Sequence, residues 1–314
     1  AHQSEQALAA NLIPSLYPSN VAEFFQFGLF GWALSRYAGT WIGFKTVNET
    51  VEQTATVELD LDAISFVSPE PAVQPEEGVH YRGGPYNPAR DEEILVNYRI
   101  PLVHQFVRAN GIDRVTQDSR QRRLGIVTAG KSWMDVQRAL ELLGISKEKA
   151  EVLGIGVYKV GCIWPLEPEG LAEFARGQRE LLVVEEKKPF LEQQIATVLF
   201  NWPERPQLVG KSDELGEPLL SKTAVLDPLD IAAAIYRRLL HLGIDVSDLR
   251  IPADSSTPGT GSGDTEKRVP FFCSGCPHST STRVPDGSYM LAGIGCHTIA
   301  AFVRPDSLLP TQMG

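Results

Sequence analysis

Three cysteines near the C-terminus carry the most readable chemistry: Cys273-Ser274-Gly275-Cys276-Pro277-His278, then Gly295-Cys296-His297, with nineteen residues between Cys276 and Cys296. A Cys-x-x-Cys turn puts two sulfurs on one side of a tight loop, near enough to serve one metal centre. Gly275 lets backbone N–H groups turn toward the sulfurs without a side-chain clash. Thiolates at this spacing select zinc or an iron–sulfur cluster. Ser, Gly, Pro and His around them argue against a buried apolar role, and their crowding at one end argues against a disulfide framework. A zinc ribbon wants a second Cys-x-x-Cys, and the sequence has none. Cys296 and His297 are adjacent and can hardly both reach one tetrahedral ion, although His278 could complete a zinc set. Three sulfurs with a fourth ligand elsewhere fit a cluster better. His278 and His297 each flank a cysteine in a Gly-containing turn, which makes them candidates for a cofactor site.

Other patterns weigh less. Gly125-Ile126-Val127-Thr128-Ala129-Gly130-Lys131-Ser132 matches the phosphate-loop pattern. That mechanism needs a strand before the first glycine and free N–H groups between the glycines. Here Ile126–Thr128 is itself strand-like, so Gly130 reads as an ordinary strand-to-helix turn. Glu185-Glu186-Lys187-Lys188 reads as a solvated turn, with a charge set at a strand's carboxyl end as the alternative. His104 and His241 sit in helical patterns and read as packing or surface residues.

The elements that must position these residues alternate. Asn20 with Glu23 makes a helix start of the capping-box kind, and residues 40–47 form a strand candidate. Residues 67–90 read as a long loop. A helix over 91–110 is expected to break or kink at Pro101. Strand-like stretches at 124–129, 154–160 and 181–185 alternate with helical ones at 132–143, 168–176 and 189–199. This predicts an α/β fold with a parallel sheet covered on both faces. Asp227-Pro228 opens a further helix that Gly243 is placed to end. Residues 252–266 read as a flexible linker.

Composition bounds the rest. The chain has 314 residues, 43% hydrophobic and 22% charged, with a formal net charge of -10. That is a globular balance, long enough for about two domains. The acidity excludes a sequence-independent nucleic-acid binder. No apolar run approaches the roughly 18 residues of a membrane span, and no signal peptide is visible. Cysteine usage fits a reducing, cytoplasmic setting.

With these residues in hand, the chain resembles the indolepyruvate:ferredoxin oxidoreductases, in their long fused bacterial form. Four stretches carry the resemblance: Gly31–Tyr37 running into Trp41–Lys45; Val157–Gly161 with Trp164–Gly170; Phe272–His278; and Ala292–His297 with Thr311–Gly314. They span nearly the whole chain in the family's order.

The resemblance implies thiamine-diphosphate-enzyme domains with parallel sheets. Residues 1–65 would end a pyrimidine-binding domain, and 66–118 a loop and helix connection. Residues 119–205 would form a transketolase-C-terminal-like domain, 206–267 a helical segment and linker, and 268–314 the beginning of a diphosphate-binding domain. Cys273, Cys276 and Cys296 would hold three corners of a [4Fe–4S] cluster. His278, Gly295, His297, Gln312 and Met313 would be thiamine neighbours. The activity implied is oxidative decarboxylation of aryl 2-oxoacids to acyl-CoA, with thiamine diphosphate, Mg²⁺, CoA and ferredoxin, in a homo-oligomer with the rest of the same enzyme. The activating glutamate, the diphosphate motif and the fourth cysteine are not found here, so the resemblance implies an incomplete polypeptide, inactive alone. Two alternatives remain: a zinc-stabilised, non-catalytic assembly subunit, and a transketolase-like decarboxylase without a cluster.

Overall fold

The computed structural model describes residues 3–58, 64–80, 87–223, 225–250, 270–293, 295–304 and 308–310. It divides into two compact units, Gln3–Ser256 and a second drawn chiefly from Thr257–Gly314. The expected linker at 252–266, and Gln312 and Met313, lie outside the described residues.

The larger unit opens with α1 (Glu5–Ala10), β1 (Ser15–Leu16), α2 (Val21–Ala38), β2 (Gly43–Phe44) and α3 (Asn48–Val51). Asn20 caps α2, its Oδ1 accepting the Glu23 N–H, while the Glu23 carboxylate reaches one residue further back than in a capping box, to the backbone N–H and hydroxyl of Ser19. Gly39 ends the helix at φ 69°, in the left-handed region. Phe27, Phe30, Leu34 and Ala38 fall on one face and are buried. The strand candidate at 40–47 contracts to Gly43–Phe44. Its partner β1 offers only Ser15 and Leu16, which pair in parallel with Gly43 and Phe44.

The expected kinked helix resolves into α4 (Pro88–Ile94), a π-helical turn over Leu95–Arg99, and α5 (Ile100–Ala109). Pro101 has no N–H for the carbonyl four residues back, and that carbonyl, on Asn97, lies inside the π turn. α5 buries Leu102, Val103, Phe106 and Val107 in a cluster with Leu16, Phe27, Phe30 and Leu34.

The sheet comes next: β3 (Arg114–Gln117), β4 (Leu124–Ala129), α6 (Gly130–Leu142), α7 (Lys147–Leu153), β5 (Ile155–Val160), β6 (Cys162–Trp164), α8 (Pro168–Ala175), β7 (Glu180–Val184), α9 (Leu191–Leu199), β8 (Gln207–Val209) and α10 (Pro228–His241). Five strands run in the order β3-β5-β4-β7-β8. β5, β4, β7 and β8 are mutually parallel, and β3 is an antiparallel edge. Every residue of β4, β5 and β7 is buried, as expected for a parallel sheet covered on both faces. One face packs on residues from α6, α7 and α10; the other packs on α8, α9 and Tyr17. Gly125 and Gly156 stand side by side in the sheet because the Phe174 ring lies over them; a Cβ on either would sit 3.0 Å from that ring. Asp227 caps α10 through the Leu229 N–H, with Pro228 in its first turn.

The smaller unit holds α11 (His278–Ser281), β9 (Met290–Ala292), α12 (Cys296–Val303) and β10 (Leu308–Pro310). β9 and β10 pair in parallel, making a β–α–β unit about α12. Its described core is small, with Ala300 packed by Phe272, Met290 and Ala301. Among the described residues, no helix of the chain is long and apolar enough to cross a membrane.

Candidate functional site

In the smaller unit the Cys-x-x-Cys segment closes as a turn, the Cys276 N–H donating to the Cys273 carbonyl at 3.0 Å. Gly275 permits it at φ 72°. Pro277 then leads into α11, whose first residue is His278. The second turn is built between β9 and α12: Gly295, at φ 97° and ψ -146°, precedes Cys296 as the helix begins. That backbone region is essentially open to glycine alone. Cys273 and Cys296 are exposed and Cys276 partly so, all as free thiols.

The histidines bring the two turns together. The His278 ring meets the His297 ring edge to face at 5.5 Å between centroids, and its own face stacks on Phe272 at 6.1 Å. His278 Nδ1 lies 3.3 Å from Cys276 Sγ. Arg304, just past α12, ties that helix back to the α11 turn by donating to the Thr282 hydroxyl at 3.0 Å and the Ser279 carbonyl at 2.8 Å.

Thiol donors on two adjoining Gly-containing turns suit a soft metal centre. Among the described residues, no three Cys or His donor atoms of this region fall within 4.8 Å of one another. A single zinc ion would need that convergence, because its ligands sit about 2.0–2.3 Å from one point. A polynuclear cluster takes each sulfur on a different iron. Thiols presented on two such turns are the kind of donor that iron–sulfur centres take.

The larger unit settles the weaker sequence patterns. The phosphate-loop look-alike is not a loop: Gly125–Ala129 lies within β4. Gly130, at φ 52°, turns into α6 under the Tyr17 ring, and a Cβ there would fall 2.1 Å from it. Lys131 Nζ is held by Asp135 at 2.7 Å, Glu186 at 3.4 Å and the Leu226 carbonyl at 3.4 Å. The crevice past the carboxyl ends of β4 and β7, where open α/β sheets commonly bind ligands, is filled by Tyr17, Glu5 and Lys45. About 30 Å³ remains, the share of one water.

Glu185 corrects the solvated-turn reading of 185–188. It is buried, and its carboxylate accepts the N–H groups of Phe190, Leu191 and Glu192 at 2.9–3.0 Å, capping α9. Burial raises its carboxyl above the ordinary value despite those bonds and the nearby Lys211. Lys211 in turn donates to the Glu185 carbonyl and, at 2.9 Å, to that of Ser221. His104 is mostly buried, and desolvation lowers it; His241 is half exposed beside Glu214 at 3.4 Å.

Several polar residues went unread in the sequence. Lys159, fully buried on β5, pairs with Glu23 and lies 4.0 Å over the Trp133 ring. Desolvation pushes it down to about 8 against the pull of Glu23. Burial would raise Glu23, but Lys159 and Ser19 outweigh it and hold the carboxyl below its usual value. Asp113 is buried, its Oδ1 accepting the N–H of Gly161 at 2.7 Å and of Cys162 at 2.9 Å while Oδ2 is unpartnered. Burial pushes it up to about 7 despite those bonds. The signal was a charge inside an apolar strand, Val157-Tyr158-Lys159-Val160. The fourth cysteine, Cys162, is fully buried with its thiol donating to the Trp164 carbonyl at 3.3 Å, and burial raises it far above an ordinary thiol. It is a core residue. Beside α2 an open apolar groove of about 690 Å³ runs between Phe24, Trp32, Trp41 and Phe44 over Gly28 and Gly31.

Comparison with known proteins finds its match in the sheet of the larger unit. Residues 114–255, from β3 through α10, match the family described as Indolepyruvate oxidoreductase domain. A curated relative, Indolepyruvate oxidoreductase subunit IorA of Methanothermobacter thermautotrophicus, is 28% identical over 207 residues. That match covers 60% of this chain and 28% of the relative, so the chain spans under a third of the relative's length. Among solved structures, a 2-oxoglutarate:ferredoxin oxidoreductase from Magnetococcus marinus overlaps 72% of this chain and 42% of its own, at 16% identity and a TM-score of 0.41. A split gene transketolase overlaps 40% of this chain and 41% of its own, at 22% identity and a TM-score of 0.30. Residues 114–255, a little under half of the chain, thus match the family described as Indolepyruvate oxidoreductase domain.

Proposed function

We propose that this chain contributes the cluster-binding turns of an enzyme that oxidatively decarboxylates aryl 2-oxoacids to acyl-CoA, with ferredoxin taking the electrons. The observation that carries the reading is the meeting of the Cys273–Cys276 turn with the Gly295–Cys296 turn through the His278 and His297 rings. Cys273, Cys276 and Cys296 would hold three corners of a [4Fe–4S] cluster. Gly275 and Gly295 take positive φ, 72° and 97°, which lets the backbone turn sharply beside Cys276 and Cys296. His278, Gly295, His297, Gln312 and Met313 are assigned to the neighbourhood of thiamine diphosphate and its Mg²⁺. When bound, the thiamine would supply an electron sink for decarboxylation and the cluster a one-electron relay, with CoA as the acyl acceptor. The role of this chain's own residues is to hold and orient. The activating glutamate and the fourth cluster ligand would come from the rest of the enzyme. The assignments of 1–65, 66–118, 119–205, 206–267 and 268–314 to successive thiamine-enzyme segments, and a cytoplasmic homo-oligomer, are parts of the same proposal.

Anaerobic metal and sulfide analysis with EPR on the full-length enzyme tests it. Iron with acid-labile sulfide is the expected result, lost on Cys276→Ser. Stoichiometric zinc would instead mark an assembly subunit, and thiamine binding without metal a transketolase-like decarboxylase.

A further inference from the structure

We infer that His278 tunes the redox potential of the cluster by donating its Nδ1–H to the sulfur of Cys276. The inference rests on the cluster reading and adds a task for a residue that need not itself be a ligand. The geometry supplies it. Nδ1 stands 3.3 Å from Cys276 Sγ, within range of a hydrogen bond to sulfur. Two rings fix which way the imidazole points: Phe272 is stacked on its face with 19° between planes, and His297 meets it at 78°. Pro277, at φ -58°, holds the short backbone path between sulfur and ring. A swing of the ring away from Cys276 would break the Phe272 stack, so the donor is held ready.

A hydrogen bond to a cluster sulfur withdraws electron density from it and favours the reduced, more negative cluster. Nδ1–H therefore raises the potential, and its removal lowers it. No bond is made or broken, and the electrons are those of the proposed reaction.

The test uses full-length enzyme reconstituted anaerobically, with iron and sulfide quantified, followed by EPR-monitored redox titration. H278F keeps a flat ring between Phe272 and His297 but carries no donor. H278N places an amide N–H close to where Nδ1 stands, whereas H278Q carries its amide out to the Nε2 position. The expected result is a midpoint shifted to more negative values in H278F and H278Q, with H278N staying near wild type. Should H278F fail to hold iron, the H278Q and H278N pair decides in the same way. Iron-loaded H278F or H278Q with the wild-type midpoint, or H278N shifted as far as they are, would overturn the inference while leaving the cluster standing. Wild-type enzyme without iron or sulfide would overturn both.

Discussion

Two turns of this chain share one plan and meet opposite fates. At Gly130 the chain leaves β4 and enters α6; at Gly295 it leaves β9 and enters α12. Both glycines have positive φ, 52° and 97°. Above Gly130 lies the Tyr17 ring, with Ser132 and Glu185 buried about it and almost no free volume. Above Gly295 a Cβ would meet nothing within 4 Å, and the next residue is an exposed cysteine. A strand–glycine–helix turn thus becomes a place for ligands only when neighbouring chain leaves it open. In the larger unit such a turn is packed shut, and in the smaller unit it stands open at the cysteine that the proposal assigns to the cluster.

The largest effect that would sharpen this contrast lies in the sheet. Lys159→Met removes the buried partner of Glu23, whose carboxylate keeps Arg114 at 2.9 Å and the Ser19 bonds. The cost should lie toward the lower end of the range for a broken buried pair, about 3–5 kcal/mol. Urea unfolding should show that loss, and a cost within about 0.5 kcal/mol, the range of an ordinary surface change, would break the account of a tightly coupled interior.

Asp113 makes the next contrast, with pH. Its folded value of about 7 lies above the ordinary 3.8, so its contribution is fully present below that ordinary value and is lost as pH rises toward neutrality. The slope is at most about 1.4 kcal/mol per pH unit. Stability of the wild type relative to Asp113→Asn should fall between pH 4 and pH 7, read from denaturant midpoints. A constant difference across that window would mean that the buried carboxyl does not titrate there.

Gly130→Ala drives a Cβ into the Tyr17 ring and should cost about 1–3 kcal/mol from overpacking alone. In a Tyr17→Ala background that increment should shrink toward the backbone cost of a positive φ, of order 1 kcal/mol. Additive losses would show that the ring is not what closes this turn.

The smallest effect on folding is expected where the effect on function is greatest. Cys273→Ser changes an exposed side chain and should alter unfolding by less than about 0.5 kcal/mol while abolishing iron loading. A large loss of stability together with unchanged iron would reverse the division between the two units.

Much of this was legible because its causes lie within a few residues. Asn20 caps α2, Asp227 and Pro228 open α10, and Leu124–Ala129 forms a strand. The Cys-x-x-Cys turn closes as its spacing requires. The strand at 40–47 was overestimated because its length depended on a two-residue partner in β1. Glu185 looked solvated because its three N–H donors lie past a turn, on residues 190–192.

The sequence by itself determined the alternation of strands and helices, the caps, and the closing of the Cys273–Cys276 turn. Those features depend on local dihedral preference and on hydrogen bonds between near neighbours. Only the tertiary structure decided that Tyr17 closes the Gly130 turn, that Glu23 neutralises Lys159 from 136 residues away, and that His278 meets His297. These outcomes depend on which distant groups exclude water from a given point, and no short stretch of residues contains that information.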